Sequence, residues 1–180
     1  SQYIQRQRPS FVLLQETHLQ GTKCLFLGRG AYTLLAHVGF TSGSRGVAIL
    51  AKKQSSFEIK HTWIDPQGTY VGVRGCWGRR DMTLLSVYAP PRLQEATLQK
   101  VAAILLASDS VIHIVGSDVK DVLDRDLDLS IALVSHPRRI PVTGFTDTLG
   151  LVGLWHRAHP TARQYSYSSR AHTFFSFRLH

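Results

Sequence analysis

Three polar residues stand where short apolar runs give out: Glu16 after Phe11-Val12-Leu13-Leu14-Gln15, Tyr88 after Leu84-Leu85-Ser86-Val87, and Asp118 after Val111-Ile112-His113-Ile114-Val115-Gly116-Ser117. Runs of this length and β-branched content read as buried strands, so their ends are where side chains leave the core. Two carboxylates and a phenol at neighbouring strand ends suit phosphoryl chemistry, because magnesium takes oxygen ligands while keeping several waters, and a carboxylate can accept a proton from an attacking water. Taken singly, each residue also has a plainer reading: a strand-end acid serves as a turn or cap residue, and a Tyr ahead of Ala89-Pro90-Pro91 serves as packing. His156, His159, His172 and His180 lack the spacing of a helical zinc pair. Cys24 and Cys76 build neither a disulfide framework nor a zinc knuckle. A reducing compartment, nuclear or cytoplasmic, is the expectation.

The elements that must position these groups are mostly strands. Gly46-Val47-Ala48-Ile49-Leu50-Ala51 repeats the buried-strand pattern and ends at Lys52-Lys53. Residues 57–63 and 69–76 flank Asp65-Pro66-Gln67-Gly68, whose Pro and Gly placement predicts a hairpin turn. A second turn at residues 77–81 leads into the strand that ends at Tyr88, closed by a Pro pair that has no ladder donor to offer. Leu93, Ala96, Val101, Ile104 and Leu105 recur at helical intervals, widened by Leu98 and Ala102. Residues 143–155 read as a second helix, broken before Pro160. The alternating tail predicts two more strands, at residues 164–168 and 172–177. The pattern of strands with helices between non-adjacent ones gives an α+β or mixed α/β sandwich.

The 180 residues suit one domain, 1–180, and 43% apolar against 18% charged residues is the balance of a folded globular chain. No apolar run approaches the roughly 18 residues of a membrane crossing. The first ten residues lack the basic-then-apolar order of an export signal. Lys and Arg number 21 against 12 Asp and Glu, a net charge of +9, which favours a polyanionic partner such as nucleic acid or an acidic membrane surface. Arg138, Arg139, Arg157, Arg163, Arg170 and Arg178 face a single acid, Asp147, across the last quarter of the chain. Trp63, Trp77 and Trp155 read as core or rim packing.

Five blocks then come in a telling order: Phe11-Val12-Leu13-Leu14-Gln15-Glu16-Thr17-His18-Leu19, Ser44-Arg45-Gly46-Val47-Ala48-Ile49-Leu50, Gly68-Thr69-Tyr70-Val71, Leu84-Leu85-Ser86-Val87-Tyr88-Ala89-Pro90 and Ile114-Val115-Gly116-Ser117-Asp118. Together they resemble the endonuclease/exonuclease/phosphatase superfamily, and most of all the apurinic-type endonuclease domain of LINE (non-LTR) retrotransposons. The stretch from Leu154 to Pro160, with Tyr165-Ser166 and His172-Thr173-Phe174, is similar to that group's tail. The resemblance implies a four-layer α/β sandwich of the DNase I type and a phosphodiesterase dependent on Mg2+ or Mn2+ that nicks DNA to expose a 3′ hydroxyl. It places the metal on Glu16, the phosphate contact on Tyr88 and the water-orienting or water-activating role on Asp118. Ser166 would lie near the phosphate, Arg45 would touch phosphate or flank a turn, and Arg163 and Arg170 of the basic tail would hold the backbone. A reverse transcriptase domain is the implied neighbour in a longer chain.

The resemblance also marks departures. The family's Gly-Asp-Phe-Asn block reads Gly116-Ser117-Asp118-Val119-Lys120, so a Lys stands at a catalytic position that carries Asn. Lys has donors only and adds a full charge. Unit charges at about 4 Å and an effective dielectric of about 20 interact by about 4 kcal/mol, and a dication feels about twice that. Discounted severalfold, this still rivals the roughly 4 kcal/mol that binds a millimolar ligand, so metal binding is expected to be weakened. Lys120 either bridges Glu16 and Asp118 in place of the ion or points to solvent. The family's first strand and its terminal Ser-Asp-His have no counterpart here. The expectation is a truncated domain, impaired or inactive, that pairs through unpaired sheet edges or serves as a non-catalytic nucleic-acid-binding module.

Overall fold

β6 (Arg80–Ala89) and β7 (Ile112–Val119) run parallel in register from Met82 opposite Ile112 to Tyr88 opposite Asp118, and α2 (Gln94–Ala107) makes the crossover between them. A parallel pair needs such a crossover, and it brings both strands out at the same end of the sheet. In this computed structural model, which describes residues 2–19, 23, 30–40, 44–119, 141–162, 167–169 and 175–177, they belong to a sheet ordered β4-β5-β6-β7. Here β4 is Phe57–Ile64 and β5 is Tyr70–Trp77, both paired antiparallel with their neighbours. A second sheet has the order β1-β3-β2, from β1 (Phe11–Leu14), β2 (Tyr32–Val38) and β3 (Val47–Lys52). A short α1 (Gln2–Gln7) precedes it; α3 (Pro141–Leu149), α4 (Leu154–Ala158) and the pair β8 (Tyr167–Ser169) with β9 (Phe175–Phe177) follow.

The layers follow from which face each apolar residue takes. Met82 and Leu84 of β6, with Val71 and Val73 of β5, pack against Ala36, Val47 and Ile49 of the other sheet. Leu85, Val87 and Ala89, on the alternate face of β6, pack against Leu98, Val101 and Leu105 of α2 and Val142 of α3. Each such buried side chain contributes about 1.5–3 kcal/mol. Val12, Tyr32 and Leu50 form a third cluster on the far face of the second sheet, joined by Ile4 of α1. The result is helix, sheet, sheet, helix: the mixed α/β sandwich expected. The central position of β3 explains its unbroken burial from Val47 to Ala51.

Several local expectations need correction. Residues 143–155 do not form one helix: α3 ends at Leu149, Gly150 turns the chain at φ 62, and α4 starts at Leu154. The stretch ahead of Pro9 holds a helix, α1, and β2 is a strand that the hydropathy pattern did not announce. Of the two strands expected in the tail, Tyr167–Ser169 and Phe175–Phe177 are strands, and the remaining positions of both lie outside the described residues. Trp63 meets His61 edge-on at 4.5 Å, Trp77 meets Phe11 edge-on at 5.2 Å, and Trp155 stacks on His159 at 4.7 Å.

Candidate functional site

Side-chain alternation decides where Tyr88 and Asp118 point. Met82 and Leu84 face the second sheet, so Tyr88, on the same parity, faces it too. Ile112 and Ile114 set the same parity for Asp118. Tyr88 opposite Asp118 therefore places a phenol beside a carboxylate near the ends of β6 and β7, on the face turned to the second sheet. The antiparallel β1–β3 pairing brings the end of β1 to that rim as well.

Glu16 reaches the same place through a break in regularity. Leu14 lies opposite Ala48, yet Thr17 donates its backbone N–H to the Gly46 carbonyl at 3.0 Å, so the first chain carries one residue more than its partner. Glu16 absorbs the surplus in a left-handed conformation, φ 47, which behaves as a bulge and re-aims the side chain. Non-glycine residues in this region cost about 1–3 kcal/mol and collect at functional sites. His18 and Arg45 share it, at φ 52 and φ 70, and His18 N–H donates to the Arg45 carbonyl at 2.9 Å. Gly46, at φ 103, has to be glycine: a Cβ there would lie 2.7 Å from Thr17 Oγ1 and 3.3 Å from the Val38 carbonyl.

The carboxylate of Glu16 accepts a hydrogen bond from the Tyr88 hydroxyl. Burial, then this bond, then the charges of Glu16 and Asp118, push the Tyr88 phenol up to about 12, with Arg45 opposing. Three of the residues singled out from the sequence, Glu16, Asp118 and Arg45, are thus within electrostatic reach of the hydroxyl of a fourth, Tyr88. The Arg45 guanidinium is anchored, its Nη1 donating to the Gln67 carbonyl at 3.2 Å and its head lying 4.6 Å over the Phe40 ring. Lys120, Arg163, Ser166 and Arg170 lie outside the described residues.

Two further residues hold the rim together. Gln15 Nε2 donates to Ser86 Oγ and to the Gly116 carbonyl, both at 3.0 Å, and Ser86 Oγ donates to the Leu14 carbonyl at 2.8 Å. One amide thereby ties the ends of β1, β6 and β7. Gly116 permits the approach, since a Cβ would fall 3.0 Å from Leu13 Cβ. Asp65, 5% exposed, accepts the Thr69 hydroxyl, receives the Gly68 N–H on its carbonyl at 2.9 Å and faces Lys100 Nζ at 3.7 Å. The turn it closes presents Gln67 to Arg45 and the Thr69 carbonyl to the Tyr88 N–H at 2.6 Å. Sequence had marked Gln15 only as polar and Asp65 only as a turn former; nothing local shows that their partners lie far along the chain.

No protein-family model matches the chain. Among solved structures, the endonuclease domain of TRAS1, a telomere-specific non-LTR retrotransposon, is similar over 98% of this chain and 73% of that one, at 13% identity and a TM-score of 0.64. An AP endonuclease from Archaeoglobus fulgidus is similar over 93% of this chain and 71% of that one, at 16% identity and a TM-score of 0.66. The chain has the DNase I-like endonuclease/exonuclease/phosphatase fold. It spans 51% of truncated Caenorhabditis elegans TDP2, which covers 64% of this chain at 16% identity and a TM-score of 0.48. In this DNase I-like sandwich the candidate residues sit where strands of both sheets converge.

The donor set fits a hard dication. Glu16 and Asp118 both bring carboxylate charge to bear on a phenol that keeps its proton at neutral pH. No group of three His, Cys, Asp or Glu side chains is arranged to hold a metal among the described residues. The protein would therefore supply one or two carboxylates and leave other positions to water and phosphate, which is how magnesium is commonly held.

Proposed function

We propose that this chain is a divalent-metal-dependent phosphodiesterase that nicks DNA, of the type borne by LINE retrotransposons, with turnover depressed by Lys120. The observation that carries the reading is the juxtaposition of Tyr88 with Asp118 in register and with Glu16 by hydrogen bond. Glu16 would hold Mg2+ or Mn2+, which would neutralise charge on the phosphate oxygens. Asp118 accepts the proton of a water that forms the new P–O bond, the bond to the 3′ oxygen breaks, and that oxygen takes a proton from solvent, leaving a 3′ hydroxyl and a 5′ phosphate. Tyr88, protonated far above neutral pH, donates a hydrogen bond to the phosphate, and the anchored Arg45 guanidinium pairs with an adjacent phosphate. The net charge of +9 supports DNA as the partner.

The test is nicking of supercoiled plasmid in magnesium or in EDTA. Wild type should relax the plasmid slowly in magnesium alone, Asp118→Ala should be inert, and Lys120→Asn should be at least about tenfold faster, since removing one unit charge near a dication relieves more than about 1.4 kcal/mol. Lys120 in place of an amide is the one feature that favours a second reading, a nucleic-acid-binding module without chemistry. That reading stands if wild type and Asp118→Ala are equally inert and both still retard DNA in a salt-sensitive way.

A further inference from the structure

The pole opposite the candidate site carries a second concentration of charge. Trp77 pairs with Arg80 across the β5–β6 turn, with Gly78 and Arg79 at its tip, and Phe57 lies opposite Trp77 on β4. Phe11, at the start of β1, meets Trp77 edge-on at 5.2 Å and Phe57 at 5.4 Å, so the two sheets close on one another here. Lys52 N–H donates to the Ser10 carbonyl at 2.9 Å, which brings Lys52, Lys53 and Arg8 to the same pole. Arg8, Lys53, Arg79 and Arg80 are exposed, and Lys52 is half-buried. The ion pairs among the described residues engage Lys60, Arg74 and Lys100 and none of these five. Two acids lie close by: Glu58, exposed on β4 opposite Cys76, and Asp81, which is already held by Arg74 at 3.1 Å and Lys60 at 3.3 Å, the Arg74 bond chief among the causes that keep its pKa low.

We propose that this pole, built from Trp77, Arg79, Arg80, Lys52, Lys53 and Arg8, binds a single-stranded nucleic acid segment apart from the site at the other rim. Among the described residues none of the five cations is held in an ion pair, and five positive charges against the one unengaged acid Glu58 leave an excess that complements a phosphate backbone. Trp77 is 40% exposed, and Phe11 fixes its ring from the edge, leaving a rigid aromatic surface amid the cations. Such a surface is useful to an unstacked base, whereas a duplex keeps its bases stacked inside. One ring is too small an apolar face to insert into a membrane, which needs an amphipathic stripe. Arg80 and Tyr88 lie near opposite ends of β6, so the pole is about 26 Å from Tyr88 along the strand, too far to share its phosphate. The proposal does not depend on nicking at the far rim.

The test is fluorescence anisotropy of a labelled oligothymidylate of about 20 nucleotides, titrated with the full chain at several salt concentrations. Arg79→Gln/Arg80→Gln should weaken binding about tenfold and flatten the log–log salt slope by about 1.4, the value for two lost contacts to a single strand. Trp77→Ala should weaken binding about tenfold with little change in slope, and Trp77→Phe should retain most of the affinity. Plasmid nicking should persist in all three. Equal weakening towards a blunt duplex, weakening confined to phosphatidylserine vesicles, or wild-type affinity in the arginine pair overturns the proposal. If Trp77→Ala melts early, the arginine pair, on an exposed turn, decides the matter.

Discussion

At neutral pH the Tyr88 phenol is a hydrogen-bond donor and neither a base nor a nucleophile, because burial and two nearby carboxylates hold its proton. An unfolded tyrosine loses its proton near pH 10, and this one is pushed up to about 12. The folded state therefore binds that proton more tightly, so the associated stability is complete below about pH 10 and is lost as pH rises through about 12. Tyr70 is also raised, first by its own burial and then by the charge of Asp65, so two phenols resist ionisation. In Tyr88→Phe, absorbance at the phenolate band should lose a titration step near pH 12, and the alkaline fall of the denaturation midpoint should flatten without vanishing. Nicking at pH 7.5 should drop about 10- to 100-fold, the usual scale for one hydrogen bond made to charge developing in the transition state. Unchanged nicking in Tyr88→Phe would remove the phenol from the chemistry and leave it as packing.

At the scale of elements, the turn from Asp65 to Thr69 governs two groups it does not itself contain. Asp65 is buried with its carboxylate on the Thr69 hydroxyl and near Lys100, and the turn's carbonyls hold Arg45 and the backbone of Tyr88. Asp65→Ala strands a buried hydroxyl, which costs about 1–3 kcal/mol, and frees both partners. The expected result is a denaturation midpoint lowered with an unchanged slope, and a loss of nicking larger than the stability change accounts for at a temperature where the variant is fully folded. The hairpin around this turn was legible from Pro66 and Gly68, as were the strand ends at Glu16, Tyr88 and Asp118, because continuous apolar runs stop there. α1 was not, since Ile4 is the one aliphatic residue in Gln2–Gln7. Nor was β2, whose register shifts between Leu34 and Ala36 and so loses the alternation that marks a strand. The bulge at Glu16 was equally hidden: a left-handed glutamate carries no compositional sign, and only the count against Gly46 reveals it.

Across the whole molecule, the candidate site is assembled by packing one sheet against the other. Glu16 follows β1 of one sheet and Asp118 belongs to β7 of the other, so folding drives two carboxylates towards the same phenol. The fully buried residues between the sheets, Val47, Ile49, Val71, Val73 and Leu84, supply the apolar burial that offsets this repulsion. Unfolding relieves the repulsion between the carboxylates, and so does neutralising either one. In EDTA, Glu16→Gln and Asp118→Asn should therefore each melt a few degrees above wild type. Magnesium should reverse the order. At ten times its dissociation constant a ligand adds about 1.4 kcal/mol to the folded state, worth about 3–6 °C for a chain of this size, and the gain should appear in wild type and be absent from Glu16→Gln. The contrary pattern, with Glu16→Gln melting below wild type and wild type indifferent to magnesium, identifies an internal cation between the carboxylates. Lys120, two residues past Asp118, is then the group to replace, and Lys120→Asn should restore the response to magnesium in the same melting experiment.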